Sequence, residues 1–153
     1  MKRKLNWVDI VIVGIIVGLI YVGYQYLIKP NQTLVDKVEA EVIYRVESVL
    51  IETANGIKVG DVFKDKDTNQ IIGEVIDKKI TESYDFVNTG DGRRVKSKKP
   101  NKYDVYLTIK GDAIVTEDYI RMGGRDMRIE DTVFLKNNIS SVESKVIDIK
   151  ILK

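Results

Sequence analysis

The sequence predicts a mainly β protein, with one N-terminal transmembrane α-helix followed by a small β-barrel or sandwich. Three observations predict this fold class: an uncharged apolar run near the N-terminus, a series of short β-branched segments after it, and a faint internal repeat. The 153 residues then divide into four parts. These are a cytoplasmic N-terminus (1–6), a transmembrane helix (7–28), a linker (29–37) and an extracytoplasmic β domain (38–153).

The predicted membrane segment is the uncharged run from Ile10 to Ile28, in which twelve residues are Ile, Val or Leu. Each contributes roughly −0.3 to −0.6 kcal/mol at mid-membrane depth. With Trp7 and Val8 the run reaches the ~20 residues that a span requires. A cleaved signal peptide would have a shorter apolar core and a small-residue cleavage motif. A buried core helix is rarely apolar on every face. A membrane anchor is therefore the preferred interpretation.

The charges beside this run predict its orientation. Lys2, Arg3 and Lys4 precede it, whereas Lys29 is the only cation just after it. The positive-inside bias therefore predicts a single-pass protein of the cell membrane with a cytoplasmic N-terminus and an outer C-terminal domain. Within the run, Gly14 and Gly18 form a small-xxx-small pair that would let two helices pack closely. Glycine is also simply frequent in membrane helices, so both interpretations stay open.

The segment after residue 37 alternates in hydrophobicity and is rich in β-branched residues, which predicts strands. The predicted strands are Glu39–Thr53, Asp61–Lys64, Ile71–Thr81, Tyr84–Val87, Tyr103–Lys110, Tyr119–Met122, Thr132–Lys136 and Val142–Leu152. Turn residues separate them, notably Asn55-Gly56, Asp67 to Gln70, Gly90 to Gly92, Gly123-Gly124 and Asn137-Asn138. Short strands at regular spacing favour a small barrel or a sandwich.

An internal echo runs through this domain at a spacing of 71 residues. Val62-Phe63 recurs as Val133-Phe134, and Val75-Ile76-Asp77 recurs as Val146-Ile147-Asp148. Lys79-Ile80 recurs in the same way as Lys150-Ile151. Two halves of common design would pack about a pseudo-twofold axis as an internally duplicated barrel. Since Val, Ile, Asp and Lys are common in strands, chance could also supply several of the matches.

The charge distribution identifies one candidate contact surface. The chain has 25 basic and 23 acidic residues, but residues 93–102 hold six cations and no acid. The predicted anion-contact residues are Arg93, Arg94, Lys96, Lys98, Lys99 and Lys102. The rest of the domain is acidic, which argues against a general nucleic-acid binder. The basic segment is either a lysine-rich hairpin that keeps an exposed edge soluble or a surface that contacts an anion.

The sequence predicts no catalytic, cofactor-binding or metal-binding residue. There is no histidine and no cysteine, so the commonest general base and thiolate chemistry are both missing. Asp65-x-Asp67-x-Asn69 begins like a calcium loop, but Gln70 and Ile76 stand where that loop needs Gly and Glu. The serines near Lys136 and Lys145 lack any sign of a desolvated lysine. We expect a non-enzymatic protein.

Several motifs carry a family resemblance. They are Lys58-Val59-Gly60-Asp61, Ile72-Gly73 and Tyr103-Asp104-Val105-Tyr106-Leu107. Together with the N-terminal helix they make the chain, from Leu5 to Leu152, resemble the bacterial domain-of-unknown-function family 4330. The resemblance implies one membrane pass and a β-rich outer domain, and it implies no known activity.

A second resemblance is to lipid-transfer domains of the mammalian-cell-entry type. The residues that carry it are Gly56-Ile57-Lys58-Val59-Gly60-Asp61-Val62-Phe63 and Ile72-Gly73-Glu74-Val75. Here the hairpin is longer and lacks its central glycine, residues 81–102 look like an insertion, and no pore-lining stretch can be identified.

Two functions are therefore expected in order. The first is a membrane-anchored binding or scaffold protein of the bacterial envelope. The alternative is an oligomeric lipid-transfer module. The expected partners are membrane lipid, other envelope proteins or a second copy, and an anionic polymer or lipid headgroup, but no nucleic acid.

Overall fold

The computed structural model describes residues 7–28 and 37–152. The chain divides into two compact units, Met1–Val35 and Asp36–Lys153. In the first unit, helix α1 (Trp7–Ile28) has 22 residues, and its described apolar side chains are exposed on every face. Among the described residues, no helix combines the length and apolarity that crossing a membrane requires.

The second unit is mainly β, as predicted. It consists of eight strands and one short helix. In chain order these are β1 (Lys37–Val49), α2 (Ile51–Gly56), β2 (Val62–Asp65), β3 (Ile71–Asn88), β4 (Arg94–Val115), β5 (Ile120–Met122), β6 (Arg125–Asp126), β7 (Thr132–Lys136) and β8 (Ser141–Leu152). The short strands β2 and β7 lie within one residue of their predicted bounds.

Several predicted boundaries were wrong; the strand expected over Tyr103–Lys110, for example, runs from Arg94 to Val115. The strand expected over Glu39–Thr53 ends at Val49, and α2 follows it. The Lys78 ammonium donates hydrogen bonds to the Ala54 and Ile57 carbonyl oxygens, so a side chain from β3 stabilises the end of this helix. The two strands expected over Ile71–Thr81 and Tyr84–Val87 are one continuous strand, β3, with a bulge between Glu82 and Tyr84.

The sheet closes into a barrel rather than forming a sandwich. All strand pairs are antiparallel, the order is β1-β8-β7-β2-β3-β4, and β4 pairs with β1 to complete the circle. Strands β5 and β6 form a hairpin added beside β4. Alternate residues of each strand point inward and fill the barrel. The largest fully buried side chains are Tyr44, Phe63, Ile57, Ile72, Leu107, Ile109, Met122 and Leu135.

Two glycines allow the strands to approach closely where β3 crosses β4. A Cβ on Gly73 would overlap the Lys110 carbonyl oxygen, and a Cβ on Gly111 would overlap the Ile72 carbonyl oxygen. Because both overlaps are with backbone atoms, a side-chain rotation cannot relieve them. Closure of the barrel at this corner therefore depends on glycine.

The register of the barrel repeats itself about a pseudo-twofold axis. Asp65 pairs with Leu135 where β2 meets β7, a separation of 70 residues (135 minus 65). Ile43 pairs with Thr108 where β1 meets β4, a separation of 65 residues (108 minus 43). A twofold axis that passes between the two residues of each pair exchanges the halves of the barrel. The N-terminal half is β1 to β3, and the C-terminal half is β4 to β8.

The same turn closes in each half. The Gly60 N–H donates to the Val75 carbonyl at 2.8 Å, and the Glu130 N–H donates to the Val146 carbonyl at 2.8 Å. Both donors have left-handed backbones, with φ of 94° at Gly60 and 75° at Glu130. The identical hydrogen bond and the shared rare conformation support a duplicated origin for the two halves.

One part of the sequence echo was wrong. Val75 and Val146 are structural equivalents at the spacing of 71 that the echo indicated. Val62 and Val133 are not, since Val62 is exposed and Val133 is buried. The equivalent of Val133 is Phe63, because Phe63 pairs with Gly73 and Val133 pairs with Ser144. The β7–β8 hairpin thus holds one residue more than the β2–β3 hairpin.

Candidate contact site: the arm hairpin

The predicted basic segment lies on a hairpin that extends beyond the barrel. The outer part of β3, Tyr84–Asn88, pairs with Arg94–Lys98 of β4, and residues 89–93 form the turn. Residues 82–102 are called the arm hairpin here. Arg93 lies in the turn, and the other five predicted cations lie on β4. The arm hairpin connects the two halves of the barrel and adds no apolar residue to its core.

Three of the six cations are held by carboxylates of the arm hairpin itself. Lys98 pairs with Glu82, Lys99 lies 3.4 Å from Asp85, and Arg93 lies 3.2 Å from Asp91. The hydrogen bond between Lys98 and Glu82 raises the pKa of the lysine and lowers the pKa of the carboxyl group. Because these charges are neutralised locally, these three cations have less to offer an external anion.

The other three cations have no carboxylate within ion-pair distance in the described part of the chain. Two of them lie over aromatic rings: the Arg94 guanidinium is 5.1 Å from the centre of the Phe86 ring, and the Lys96 ammonium is 4.4 Å from that of Tyr84. The rings are themselves exposed, Phe86 by 57% and Tyr84 by 44%. Lys102, the third, is half-buried near the barrel. The unneutralised charge is thus concentrated on one aromatic face of the arm hairpin.

A polar network fixes the base of the arm hairpin to the barrel. Asp104, which is 4% exposed, accepts hydrogen bonds from Arg45 Nη2 at 2.7 Å and from the Ser48 N–H at 2.9 Å. The Ser48 hydroxyl contacts that of Ser83 at 3.0 Å and accepts a hydrogen bond from Lys99 at 3.0 Å. Ser48 has a left-handed backbone, φ 56°, at a bulge in β1. This bulge turns its N–H towards the carboxylate.

Opposing effects act on the pKa of Asp104. Burial acts to raise it, but the Ser48 N–H, the Arg45 guanidinium and the Ser83 hydroxyl together hold the pKa below its usual value. The carboxylate is therefore charged at neutral pH and fully bonded. An ordered base of this kind limits the orientations that the arm hairpin can adopt relative to the barrel.

A cleft of about 400 Å³ opens between the arm hairpin and the outer face of the barrel. It is lined by Arg45, Thr81, Glu82, Tyr84, Phe86, Lys96, Asp104 and Tyr106. Both acids of this lining are paired, Glu82 with Lys98 and Asp104 with Arg45. Lys96 therefore supplies the cleft's only unneutralised charge among these residues. The cleft has a cationic and aromatic character suited to an anionic group.

Sequence reasoning missed Arg45 as part of this surface. Arg45 and Asp104 are 59 residues apart, and only the β1–β4 register brings them together. The alternation of β1 did indicate that Arg45 points outward, since its neighbours Tyr44 and Val46 are buried. The sequence held no signal for which strand would lie beside it.

The motifs that the sequence argued against have structural roles. The buried Asp65 caps the β2–β3 turn by accepting the Asp67 and Thr68 N–H groups, and Arg125 Nε lies 3.0 Å from its other oxygen. The Ser144 hydroxyl donates to the Val133 carbonyl. Within residues 7–28 and 37–152, no three carboxylates lie together in a way that could hold a metal ion.

The candidate helix-packing residues lie on α1. Neither Gly14 nor Gly18 has a neighbouring atom within 4 Å of where a Cβ would stand, among the described residues. The described residues therefore leave these two positions uncovered. The pairing of two helices through this face stays a prediction.

The fold and the site together define a class: a small antiparallel β-barrel domain with two similar halves that carries a basic hairpin and follows an apolar helix in the sequence. The chain belongs to the family described as Domain of unknown function (DUF4330), whose profile matches residues 1–150. This confirms the first resemblance drawn from the sequence. No curated protein and no solved structure matches the chain.

Proposed function

We propose that this protein is a membrane-anchored, extracytoplasmic binding or scaffold protein of the bacterial envelope, and that the arm hairpin is its contact surface for an anionic partner. The observation that carries the proposal is the contrast in charge. Arg94 and Lys96 keep their full charge on an exposed aromatic face of a hairpin that contributes nothing to the barrel core. Lys98 and Lys99 of the same hairpin, by contrast, are paired with its own acids.

The membrane anchor rests on the sequence. The run from Ile10 to Ile28 is uncharged, and cations cluster before it. The described side chains of α1 support it as well, since they are apolar and exposed around the whole helix, from 46% at Val11 to 78% at Trp7. A helix with apolar side chains on every face requires an apolar environment on every face.

Protease treatment of intact cells tests the location. Spheroplasts expressing the full chain with a C-terminal epitope would be treated with protease, with and without detergent. We expect the epitope to be lost without detergent, and the protein to stay in the membrane fraction after an alkaline carbonate wash. An epitope that resists protease until detergent is added, or a protein released by the wash, would contradict the proposal.

The lipid-transfer alternative has less support. Inward side chains such as Tyr44 and Phe63 fill the barrel, so a lipid conduit would have to form between copies. Native mass measurement of the detergent-extracted protein separates the two functions. A lipid-free monomer or dimer supports the binding protein, and a closed ring with co-purified lipid supports transfer.

A further inference from the structure

We propose that the arm hairpin binds a linear polyanion, a chain with phosphate or carboxylate groups at regular intervals, through Arg94 and Lys96, and that the headgroups of the anchoring bilayer are not its ligand. This inference rests on the proposed function and names the partner of the same site. Three observations carry it: which cations are free, how they are spaced, and which end of the barrel the arm hairpin extends from.

The free cations are those on one face. Residues directly opposite each other in the hairpin share a face, and the pairs Tyr84–Lys98, Phe86–Lys96 and Asn88–Arg94 are opposite. Arg94 and Lys96 therefore point to the same side as the two rings beneath them. A cation over a ring loses fewer orientations when it binds an anion, because its position is already restricted.

The spacing fits a chain better than a single anion. Arg94 and Lys96 are two residues apart on a strand, which separates them by roughly 7 Å along its axis. The next residue of the row, Lys98, is neutralised by Glu82. Cations placed in a row along a strand suit a ligand that carries its own charges in a row. They can each contact a successive charged group of an extended polymer.

The arm hairpin extends from the end of the barrel opposite to the one at which the domain begins. Strand β1 starts at Lys37, beside Ile114, and ends at Val49, beside Tyr103. The arm hairpin continues β4 beyond Tyr103. The 13 residues of β1 span roughly 40 Å. The cations thus lie a barrel length from Lys37, through which the domain is joined to the N-terminal segment. The arm hairpin is therefore at the opposite end of the barrel from the point where the chain enters it.

Binding of a defined probe to the full chain tests the proposal. The protein would be held in nanodiscs of neutral phosphatidylcholine, and fluorescein-labelled linear polyphosphate would be titrated at low salt. The doubly substituted variant Arg94→Gln/Lys96→Gln should bind the probe about 30-fold more weakly, since each cation near a polyanionic surface contributes roughly a fivefold factor. The affinity of the unmodified protein should fall steeply with added salt.

Two matched variants keep the test specific. Lys64→Gln/Lys136→Gln removes two cations from the β2–β7 surface of the barrel, and so makes the same change in net charge. Arg121→Gln/Asp126→Asn removes the exposed ion pair of the β5–β6 hairpin, outside the cleft, and leaves the net charge unchanged. Both should bind within about threefold of the unmodified protein. An equal loss in the barrel variant would show that binding follows net charge, and would overturn the proposal.

The source of the anion is distinguished by a second measurement. The same nanodiscs would be mixed with vesicles containing anionic phosphatidylglycerol. Binding to these vesicles without binding to polyphosphate would assign the arm hairpin to a bilayer surface and overturn the proposal. Stable insertion of the protein into nanodiscs reports on the anchor independently. If the protein does not insert into nanodiscs, the proposed membrane anchor is contradicted before the polyanion is added.

Discussion

Two equivalent ion pairs join β1 to β4, one at each end of the barrel, in different environments. Arg45 on β1 lies 2.7 Å from Asp104 on β4, and Lys110 on β4 lies 2.9 Å from Glu39 on β1. The rotation that exchanges the halves exchanges these pairs, since 39 and 104 are 65 positions apart, as are 45 and 110. The Asp104 side chain is 6% exposed beneath the arm hairpin, whereas that of Glu39 is 60% exposed.

The comparison shows that the position of an ion pair relative to the arm hairpin, and not its chemical type, decides how much it contributes to the structure. At the Lys37 end of the barrel the pair is screened by water and contributes little. At the arm end it is covered and joined by Ser48 and Ser83, so it fixes the hairpin that projects from there. The two ends of the barrel therefore differ in how far their ion pair is buried and hydrogen-bonded.

Three further positions break the symmetry. Gly73 corresponds to Ser144, the buried Asp65 corresponds to Leu135, and Gly60 corresponds to Glu130. The first two differences concern a local requirement of one half, a close strand crossing and a capped turn, whereas the third places two residue types in the same left-handed conformation. Substitutions at these positions and at the twin ion pairs measure how far the halves have diverged.

The largest effect is expected for Gly73→Ala. The new Cβ would overlap the Lys110 carbonyl oxygen at the β3–β4 crossing, and a backbone shift is required to relieve the overlap. We expect the free energy of unfolding to fall by at least about 3 kcal/mol, measured by urea denaturation. The control is Gly56→Ala, where no atom lies within 4 Å of the added Cβ. Equal stability of the two variants would show that the crossing is loosely packed.

Asp65→Asn should have the next largest effect. The buried carboxylate accepts two backbone N–H groups and faces Arg125 Nε at 3.0 Å. Removing its charge leaves the guanidinium with Asp67 alone. We expect a loss of about 2–3 kcal/mol in urea unfolding. Asp67→Asn, in which the exposed partner of the same arginine is changed, should leave the midpoint within error. If Asp65→Asn did not change the stability, the charge of Asp65 would contribute nothing beyond what the uncharged Leu135 contributes at the corresponding position.

The twin ion pairs give the most direct comparison. Asp104→Asn leaves Arg45 with only the exposed Glu47, so we expect a loss of about 2 kcal/mol at pH 7. Glu39→Gln should produce no measurable change. Thermal unfolding of both variants beside the unmodified protein checks this. Similar losses at both sites would contradict the proposed difference between the two ends of the barrel.

The pH dependence of the same variants sharpens the result. The pKa of Asp104 is lowered in the folded protein from its ordinary 3.8. Its contribution to stability is therefore fully present above about pH 4 and is lost as the pH falls below that through the folded pKa. The difference in stability between the unmodified protein and Asp104→Asn should shrink progressively as the pH is lowered below about 4. A difference that stays constant over this range would show that the carboxylate's charge is not involved.

The sequence predicted the parts of this barrel that depend on local patterns. Thr132–Lys136 was predicted with its observed bounds because it alternates and is flanked by turn residues. The arm hairpin was predicted as an exposed basic surface because six cations and no acid fall within residues 93–102. Helix α2 was missed because six residues are too few for a helical period, and Lys78 from a distant strand stabilises its end. The closure of β1 on β4, and with it the Arg45–Asp104 pair, depends on a long-range register that no local pattern encodes.

The smallest expected effect tests the duplication itself. Glu130 adopts φ 75° at the position where the first half has Gly60 at φ 94°. A residue with a Cβ loses roughly 1 kcal/mol in this conformation, and glycine does not. Glu130→Gly should therefore stabilise the protein by about 1 kcal/mol, less a small loss from its exposed ion pair with Lys145. The reciprocal Gly60→Ala should destabilise by a similar amount in urea unfolding. If Glu130→Gly were destabilising, the ion pair would outweigh the backbone strain, and the two turns would have diverged in function as well as in sequence.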